Sequence, residues 1–456
     1  MKYSYRIILF VFIILFLISG CSSLFLQKHS ADFIKVCDGQ FILDGKPYYF
    51  VGTNMWYGCY LGSKGITGDR ERLRRELDLL EKSNITNLRI LAASEDSEIK
   101  NSVKPSIQSQ PGVYDNELLD GLDYLLYEMS RRNMHAVLFL NNYWEWSGGM
   151  SQYNAWFNGG HLVDPAVNNA WHDFMNFSAT FYSNEQANKC FRDFLKYIIN
   201  RKNNYSGIEY KNDPTIMAWQ LANEPRPAFK GDSVVNQNNF YKWIDETAKY
   251  IHSLDTNHLV TTGNEGLAGS LQSEEIYLTA HKSKYIDYIT FHLWPKNWGW
   301  FNAKRIDETY PSTIQKAINY INKHICYARK LNKPITLEEF GISRDSEFVM
   351  PSTPAAIRDK YFRTIFQLVF DSAATGAPFA GTNFWTWGGE GRAVHENAVW
   401  QKDDPFTGDP PQEPQGFNSV FDTDTSTLNI ISAYGSKMKE LGNAETKIVS
   451  LKENGL

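Results

Sequence analysis

The stretch TIMAWQLANEP at residues 215–225 is an apolar, strand-like run that ends at a glutamate, Glu224. A second stretch, PITLEEFG at residues 334–341, repeats that arrangement and places Glu339 at its end. In a barrel of alternating strands and helices, catalytic groups lie at the C-terminal ends of the strands. Two carboxyl groups that meet there are the minimum equipment for cleaving a glycosidic bond, because one serves as acid and the other as nucleophile or base. The two stretches therefore predict a barrel suited to glycoside hydrolysis.

Strand and helix patterns alternate along the rest of the chain. We predict strands at residues 48–52, 86–92, 136–140, 215–222, 259–262, 288–291, 335–339 and 379–385, and helices at residues 70–82, 116–132, 186–201, 238–254, 273–283, 313–330 and 355–372. This alternation predicts an α/β fold, a (β/α)8 TIM barrel. The alternative is an open doubly wound sheet, but its glycine fingerprint is missing after the first strand.

The 456 residues suit one barrel with additions. A β-hairpin with Asp-Gly turns is expected at residues 34–50. The segments 142–184, rich in aromatic residues, and 388–419, rich in Pro and Gly, are too long for plain connectors, so we expect functional loops on the catalytic face. We divide the chain into a signal peptide (1–20), a tether (21–32), a catalytic barrel (33–445) and a C-terminal tail (446–456).

The N-terminus has the pattern of an export signal. Lys2 and Arg6 precede an unbroken apolar run at residues 7–18, which is too short to span a bilayer comfortably. The string Ile18-Ser19-Gly20-Cys21 at its end resembles a bacterial lipobox, in which the cysteine carries lipid. A simple signal peptide with an incidental Cys21 is the alternative. We expect a lipoprotein of the cell envelope, in the outer membrane, that contacts the membrane only through its lipid anchor.

Composition limits the partners. The net charge of −5 gives no support to nucleic-acid binding. Aromatic residues make up 14 % of the chain, which suits either a large core or sugar binding, because flat rings cover the apolar face of a pyranose. No sequence pattern implies a metal or another cofactor, and we expect a monomer.

Four cysteines remain in the mature chain, with no C-x-x-C pair that would indicate a metal or thioredoxin-like site. Disulfides are open to an exported protein, but buried free thiols are the expectation we favour. The four are Cys37, Cys59, Cys190 and Cys326.

Strand alternation predicts which side chains face the barrel interior. Leu337 and Glu339 share one face, so Glu339 is expected inside, whereas Glu338 is expected toward the helix layer or out of the loop. Near the other glutamate, Asn223 should point away unless a strand-end bulge lets both Asn223 and Glu224 reach the site.

Short polar and aromatic strings stand at the predicted strand ends and in the loops that follow. They are GTNMWY (52–57), NLRI (87–90), PGVYD (111–115), NNYW (141–144), ANEPR (222–226), TGNEG (262–266), HLWPKNW (292–298), EFG (339–341), FWTW (384–387) and PQGFNSVF (414–421). Together they resemble glycoside hydrolase family 5 of the β-mannanase type, over residues 34–440. One departure is Trp294, where many relatives have Tyr.

The resemblance implies a retaining mechanism, with Glu224 as acid/base and Glu339 as nucleophile. Retention needs the two carboxyl groups about 5–5.5 Å apart. At that distance one pKa should rise, so that its carboxyl group can donate a proton near neutral pH.

The substrate-binding residues should surround this pair. Arg89 is expected to hold Glu339 ionised. Asn223 is expected to bond the sugar 2-OH, His292 to bond a hydroxyl or a glutamate, and Arg226 to lie on the leaving-group side. Trp385 is expected to form the floor under the sugar, and further aromatic platforms are expected at Trp294, Trp298 and Trp56.

The leading expectation is an endo-acting β-1,4-mannanase. A β-1,4-glucanase and an exo-acting β-mannosidase or mannobiohydrolase remain alternatives, the exo mode if residues 142–184 wall off the cleft. A glycan-binding lipoprotein without catalysis is an alternative of another class. It is disfavoured because a pure binder need not keep the two glutamates with Arg89.

Overall fold

The computed structural model describes residues 32–229 and 233–453, so the predicted signal peptide and Cys21 lie outside the described residues. Eight parallel strands form one sheet: β1 (Phe50–Asn54), β2 (Asn87–Leu91), β3 (His135–Phe139), β4 (Ile216–Gln220), β5 (Leu259–Thr261), β6 (Ile289–Leu293), β7 (Ile335–Phe340) and β8 (Phe379–Phe384). A helix follows each strand: α1 (Arg70–Lys82), α2 (Asn116–Ser130), α3 (Glu185–Ile199), α4 (Ser233–Leu254), α5 (Glu274–His281), α6 (Ile306–Leu331), α7 (Ala356–Ala374) and α8 (Thr425–Glu453).

The sheet curls into a nearly closed barrel. Its strand order is β5-β4-β3-β2-β1-β8-β7-β6, which leaves β5 and β6 at the two ends. Those ends meet, because the Asp287 amide donates to the Val260 carbonyl at 2.8 Å and the Thr261 hydroxyl donates to the Tyr288 carbonyl at 2.9 Å. The predicted TIM barrel is confirmed, and the open doubly wound alternative is excluded.

Smaller elements decorate the barrel. They are the strands Lys35–Cys37, Gln40–Leu43 and Lys46–Pro47, the pairs Gln108–Gln110 with Val113–Tyr114 and Trp387–Gly389 with Val420–Phe421, and the helices Gly58–Gly62, Gly149–Trp156 and Trp171–Ala179. The first three strands form the predicted N-terminal hairpin. Its Phe41 contacts Tyr288 at 5.2 Å between ring centroids, and together with Phe50 these residues fill the bottom of the barrel.

Amphipathic spacing explains why the predicted helices form. In α1, the Asp69 side chain accepts a hydrogen bond from the Arg72 amide at 2.9 Å and caps the N-terminus. Leu73, Leu77 and Leu80 then follow at helical spacing and are fully buried against the barrel. Most described helices match the sequence-based bounds to within a few residues. The exceptions are α4 and α6, which begin earlier than expected, and α8, for which no helix was expected.

Two of those differences have a physical origin. Helix α6 begins at Ile306 and includes Pro311 in its second turn, where proline lacks the amide proton of one helical hydrogen bond. The sequence-based start at residue 313 follows this proline, because proline is disfavoured inside a helix. Helix α8 was not predicted, yet Ile431, Tyr434 and Met438 are buried at a helical spacing that indicates it. The boundary placed between barrel and tail at residue 445 lies inside this helix.

A buried ion triad fixes the start of α8. Asp424 accepts hydrogen bonds from Arg344 at 2.7 Å and from Arg358 of α7 at 2.5 Å, and all three side chains are buried. The Phe421 amide donates to the same carboxylate at 2.9 Å. A buried charge needs such pairing, so the triad ties the segment after β7 and helix α7 to α8.

The cysteines are only partly as expected. The four cysteines among the described residues are free thiols, as expected. Cys59 and Cys190 are buried, but Cys37 and Cys326 are exposed. Within the described ranges, the structure contains no helix with the length and apolar character needed to cross a bilayer.

Prediction for the triad: Asp424→Asn should lower the free energy of unfolding by about 3–5 kcal/mol, because it leaves two arginines buried without a full counter-charge. Asp422→Asn is the matched control, since its pair with Arg392 is partly exposed and should contribute less than about 1 kcal/mol. Urea denaturation of both variants measures the difference. Equal stability of the two variants would show that the triad does not anchor α8.

Candidate active site

Arg89 lies at the centre of the carboxyl end of the barrel and is fully buried. Its Nε donates to the Gln220 side-chain oxygen at 2.8 Å. One terminal nitrogen donates to Asn54 Oδ1 at 3.0 Å and to Glu339 Oε1 at 2.5 Å. The other donates to Asn223 Oδ1 at 2.7 Å. One guanidinium therefore fixes side chains from the ends of β1, β4 and β7.

An irregularity in β7 brings two consecutive glutamates to this end of the barrel. On β6, the consecutive residues Phe291 and His292 pair with Leu337 and Glu339, so Glu338 is the extra residue of a bulge. A bulge cancels the usual alternation of side chains. Both carboxylates can therefore face the interior.

The predicted faces of β7 are consequently wrong at two positions. Glu338 does not point toward the helices or out of the loop, because it accepts hydrogen bonds from the Tyr288 hydroxyl at 3.3 Å and from Gln220 inside the barrel. Leu337 does not share the inner face. It is in register with Phe291, whose ring stacks on a histidine of α6 at 4.6 Å.

Asn223 and Glu224 both reach the site, which we expected only if the end of the strand is irregular. The Asn223 amide donates to the Asn141 carbonyl at 2.8 Å, and the Glu224 amide donates to the Gly263 carbonyl at 3.0 Å. Glu224 has a left-handed backbone, with φ of 50°. Such a conformation is uncommon for a residue with a side chain, and here it turns the carboxylate into the barrel mouth.

The Glu224 carboxylate is held from two sides. Its Oε1 lies 2.7 Å from His292 Nδ1. Its Oε2 accepts hydrogen bonds from the indole of Trp144 at 2.6 Å and from Arg226 at 3.3 Å. His292 Nδ1 also lies 3.2 Å from Glu339 Oε2, so the imidazole bridges the two glutamates.

The two glutamates are close together. One atom each of Glu224, His292 and Glu339 lie within 4.8 Å of one another. Carboxyl groups about 5–5.5 Å apart are typical of retaining glycosidases, whereas inverting enzymes need a wider gap for water. The same three side chains could also ligate a metal ion, but the guanidinium of Arg89 already supplies positive charge beside Glu339.

The charges around His292 favour a protonated imidazole. Burial lowers the pKa of His292, but the charge of Glu339 and the hydrogen bond to Glu224 raise it to about 9. Burial raises the pKa of Glu224, but the hydrogen bond and charge of His292, followed by the charge of Arg226, lower it to about 2. The expectation of a raised pKa at the acid/base is therefore wrong, because the hydrogen bond and charge of His292 outweigh burial.

Glu265 lies behind Arg226, which pairs with Glu265 as well as with Glu224. Burial and the charge of Glu224 raise the pKa of Glu265 to about 7, although the charge of Arg226 opposes that rise. Trp298 donates to Glu265 at 3.1 Å. Two residues, Glu265 and Arg226, therefore separate Trp298 from Glu224.

Trp294 and Trp385 meet beside Glu339. The Trp294 indole donates to Glu339 Oε2 at 3.2 Å, and its ring contacts Trp385 edge to face at 6.2 Å. Gly341 makes this approach possible. A Cβ at that position would stand 2.7 Å from the Trp385 carbonyl and 3.3 Å from the Trp294 ring. The glycine of the EFG string therefore leaves space for the two rings.

The prediction that Trp56 is a sugar platform is wrong. Its side chain is fully buried, and its indole donates to the Gly408 carbonyl at 2.7 Å. Its ring packs against Phe406 at 5.2 Å and Trp146 at 5.6 Å. Trp56 supports the long loop after β8 from below.

Two side chains near the site were not assigned to it from the sequence. Trp144 donates to Glu224, although the sequence left it open between sugar binding and packing of its loop. Glu413, in the long segment after β8, accepts a hydrogen bond from Asn418 at 3.2 Å. Burial and the charge of Asp409 raise the pKa of Glu413 to about 8, and the charges of the two catalytic-site glutamates contribute to that rise. Loop residues have no periodicity from which such positions could be read.

A family model described as glycoside hydrolase family 5, β-mannosidase-like, matches residues 31–443. The chain belongs to this family. It is therefore a glycoside hydrolase, and the paired glutamates at the ends of β4 and β7 lie where a TIM-barrel enzyme has its catalytic groups.

Alignments with individual relatives extend over nearly the whole chain. A crystal structure of a family 5 mannosidase from Rhizomucor miehei is 35 % identical, with a TM-score of 0.83, and covers 91 % of this chain and 99 % of that one. A putative mannan endo-1,4-β-mannosidase 4 of Arabidopsis thaliana is 28 % identical over 90 % of this chain and 91 % of its own length. An endo-1,4-β-mannanase structure from Rhizomucor miehei shares the fold, with a TM-score of 0.65 at 23 % identity.

Prediction for the shared proton: because the pKa of His292 is raised to about 9, the proton is present below that pH and is lost as pH rises through it. The alkaline limb of kcat/KM should therefore lie near pH 9. His292→Asn should lower kcat/KM and move that limb to lower pH, since Glu224 is then the proton holder.

The matched control is His252→Asn, because His252 lies on α4 and contacts Asp287 rather than the site. Its pH profile should match that of the wild type. A profile of His292→Asn with an unmoved alkaline limb would contradict a proton shared between His292 and Glu224.

Proposed function

We propose that the protein is an endo-acting β-1,4-mannanase that hydrolyses mannan, glucomannan or galactomannan with retention of configuration. The observation that carries this proposal is the short separation of Glu224 and Glu339 within a family 5 barrel. The names of its plant relatives, mannan endo-1,4-β-mannosidases, support the choice of substrate and the internal position of cleavage. It acts as a monomer and needs no cofactor.

The mechanism has two steps. Glu339 attacks the anomeric carbon, the bond to the leaving oxygen breaks, and that oxygen takes a proton from Glu224. The proton reaches Glu224 from His292 along their 2.7 Å hydrogen bond. Water then attacks the glycosyl-enzyme, giving its proton to Glu224 and releasing Glu339 as a carboxylate.

The neighbours of the two glutamates divide the supporting roles. Arg89 keeps Glu339 ionised and orients it, and it also fixes the Asn223 amide so that this side chain can bond the sugar 2-OH. Trp385 forms the floor under the reacting sugar, with Trp294 beside it. Arg226 stacks over Trp144 at 4.6 Å, on the leaving-group side of Glu224.

Prediction for the two glutamates: Glu339→Gln should lower turnover of every substrate by more than about 10⁴-fold, because no glycosyl-enzyme can form. Glu224→Gln should lower turnover of mannan by about 10²–10⁴-fold but spare aryl mannosides, whose leaving groups need little protonation. Steady-state kinetics on both substrate types distinguish the roles. Near-normal activity of Glu339→Gln would assign the nucleophile elsewhere.

Prediction for specificity: mannan should be cleaved at least about a hundredfold more efficiently than carboxymethyl cellulose, because the axial 2-OH of mannose reaches groups that an equatorial hydroxyl would miss. Product analysis should show oligosaccharides of mixed length early in the reaction, and proton NMR should show the β-anomer first. Equal efficiency on the two polysaccharides would reject the mannanase assignment, and the α-anomer would reject retention.

Exo action is a second candidate, favoured by the segment after β8. Glu413 and its partner Asn418 stand close to the catalytic glutamates, and Asn418 lies 3.6 Å from the position of a Cβ on Gly341. Lys296 ties the same segment to the loop after β6, 3.9 Å above the Phe417 ring. A contact between these two loops would close one end of the substrate cleft. Mannose or mannobiose as the sole early products would select this candidate over endo action.

For localisation we propose a lipoprotein anchored through Cys21 to the outer membrane of the cell envelope. Support comes from the short apolar run at residues 7–18 and the lipobox-like string before Cys21.

Prediction for the anchor: labelled fatty acid should attach to the protein in a Gram-negative host, and Cys21→Ala should remove the label and release the protein from membranes. Cys37→Ala is the matched control, since this exposed thiol lies in the hairpin, and it should keep the label. Label persisting on Cys21→Ala would rule the anchor out.

A further inference from the structure

The two oxygens of Glu224 face different neighbours. Oε1 contacts His292, which also contacts the nucleophile, whereas Oε2 accepts the indole proton of Trp144. Trp144 thus stands on the side of the acid/base away from Glu339. In a retaining mechanism the reacting sugar lies over the nucleophile and the leaving group lies beyond the acid/base. The surroundings of Trp144 are therefore the place to search for a leaving-group site.

An exposed tryptophan lies next to Trp144. The Trp171 ring contacts the Trp144 ring edge to face at 6.0 Å, and Phe174 stacks with Trp144 at 6.2 Å. Phe174 is fully buried, so its contact belongs to the packing of the loop. Trp171, at the start of the helix Trp171–Ala179, is 38 % exposed. Its ring does not need this position for the core.

A second pair of rings continues this surface. His172 stacks on Phe229 with 3.8 Å between ring centroids and an angle of 11° between the planes. Phe229 follows Glu224 by five residues, so the stack joins the segment after β3 to the segment after β4. A groove of about 690 Å³ adjoins His172. Its polar lining comes from His161, Asp164, Asn168, Asn169, His172 and Asp173.

We infer that Trp171, with the His172–Phe229 stack beside it, is the platform for the sugar residues of the leaving group, a β-linked mannosyl chain. This inference rests on the proposed function. Flat exposed rings bind the apolar face of a pyranose, and the polar groove beside them offers partners for its hydroxyls. Contacts to a remote part of the substrate accelerate the reaction when they strengthen in the transition state.

Two substrates separate this role from a structural one. Mannotetraose places sugars beyond the cleaved bond, whereas β-mannosyl fluoride has a leaving group of one atom. Trp171→Ala should lower kcat/KM on mannotetraose by about tenfold, in the range of one aromatic contact, and leave hydrolysis of the fluoride unchanged. Phe229→Ala should act in the same direction.

Ile208→Ala is the matched control. Ile208 is 39 % exposed and lies before β4, at the opposite end of the barrel from the site. It should leave both substrates unaffected. Titration of mannotetraose into proteins that also carry Glu339→Gln should show the same tenfold loss for Trp171→Ala in affinity, without turnover.

The outcomes are distinct. If the wild type cleaves neither mannotetraose nor the fluoride, the proposed function itself fails. If the wild type cleaves both and Trp171→Ala matches Ile208→Ala on both, the platform is wrong while the function stands. Equal losses on both substrates would assign Trp171 to the support of Trp144 and also overturn the platform.

Discussion

The buried guanidinium of Arg89 is the constraint on which the rest of the site depends. A cation without solvent must be fully paired. Here one terminal nitrogen contacts Glu339, Nε lies 3.6 Å from Glu338, and the side-chain oxygens of Gln220, Asn54 and Asn223 accept three further hydrogen bonds. The bulge in β7 is what presents both carboxylates to it. Lysine could not replace this residue, because a point charge lacks the fork that holds several partners in fixed directions. The nucleophile is therefore positioned by the same contacts that make the buried charge tolerable.

Next to Arg89, the protonation of His292 determines whether a proton is available to the acid/base, Glu224. His292 contacts both glutamates, and its raised pKa favours an imidazolium between them. Attack by Glu339 consumes its negative charge in an ester bond, so the largest cause of that raised pKa disappears as the reaction proceeds. The proton then becomes easier to release toward Glu224, at the step in which the leaving oxygen needs it. Coupling through one imidazole thus relates the state of the nucleophile to the acidity of the acid/base.

The sequence predicted the barrel and the positions of the two glutamates because both depend on periodic patterns. Apolar runs ending at Glu224 and Glu339 mark strand ends, and parallel strand ends must converge in a barrel. It failed where local backbone breaks the period: the bulge moved Glu338 inside and Leu337 outside. It failed again for tryptophans, since a ring in a loop serves a core or a sugar equally well. Trp56 proved buried, and Trp144, left undecided in its loop, proved to contact Glu224.

Chemistry and substrate length are consequently set by different parts of the molecule. Arg89 links the strand ends and fixes Glu339 and Asn223. Two loop segments also reach the site. The segment after β3 does so through Trp144, and the segment after β8 does so through Glu413. The first extends the surface beyond the acid/base, and the second adds a carboxylate near the nucleophile. Changes in either segment can alter how many sugars bind on each side of the cleaved bond without disturbing the bond-breaking groups. Under the proposed function, the division between endo and exo action is a property of these two segments rather than of the barrel.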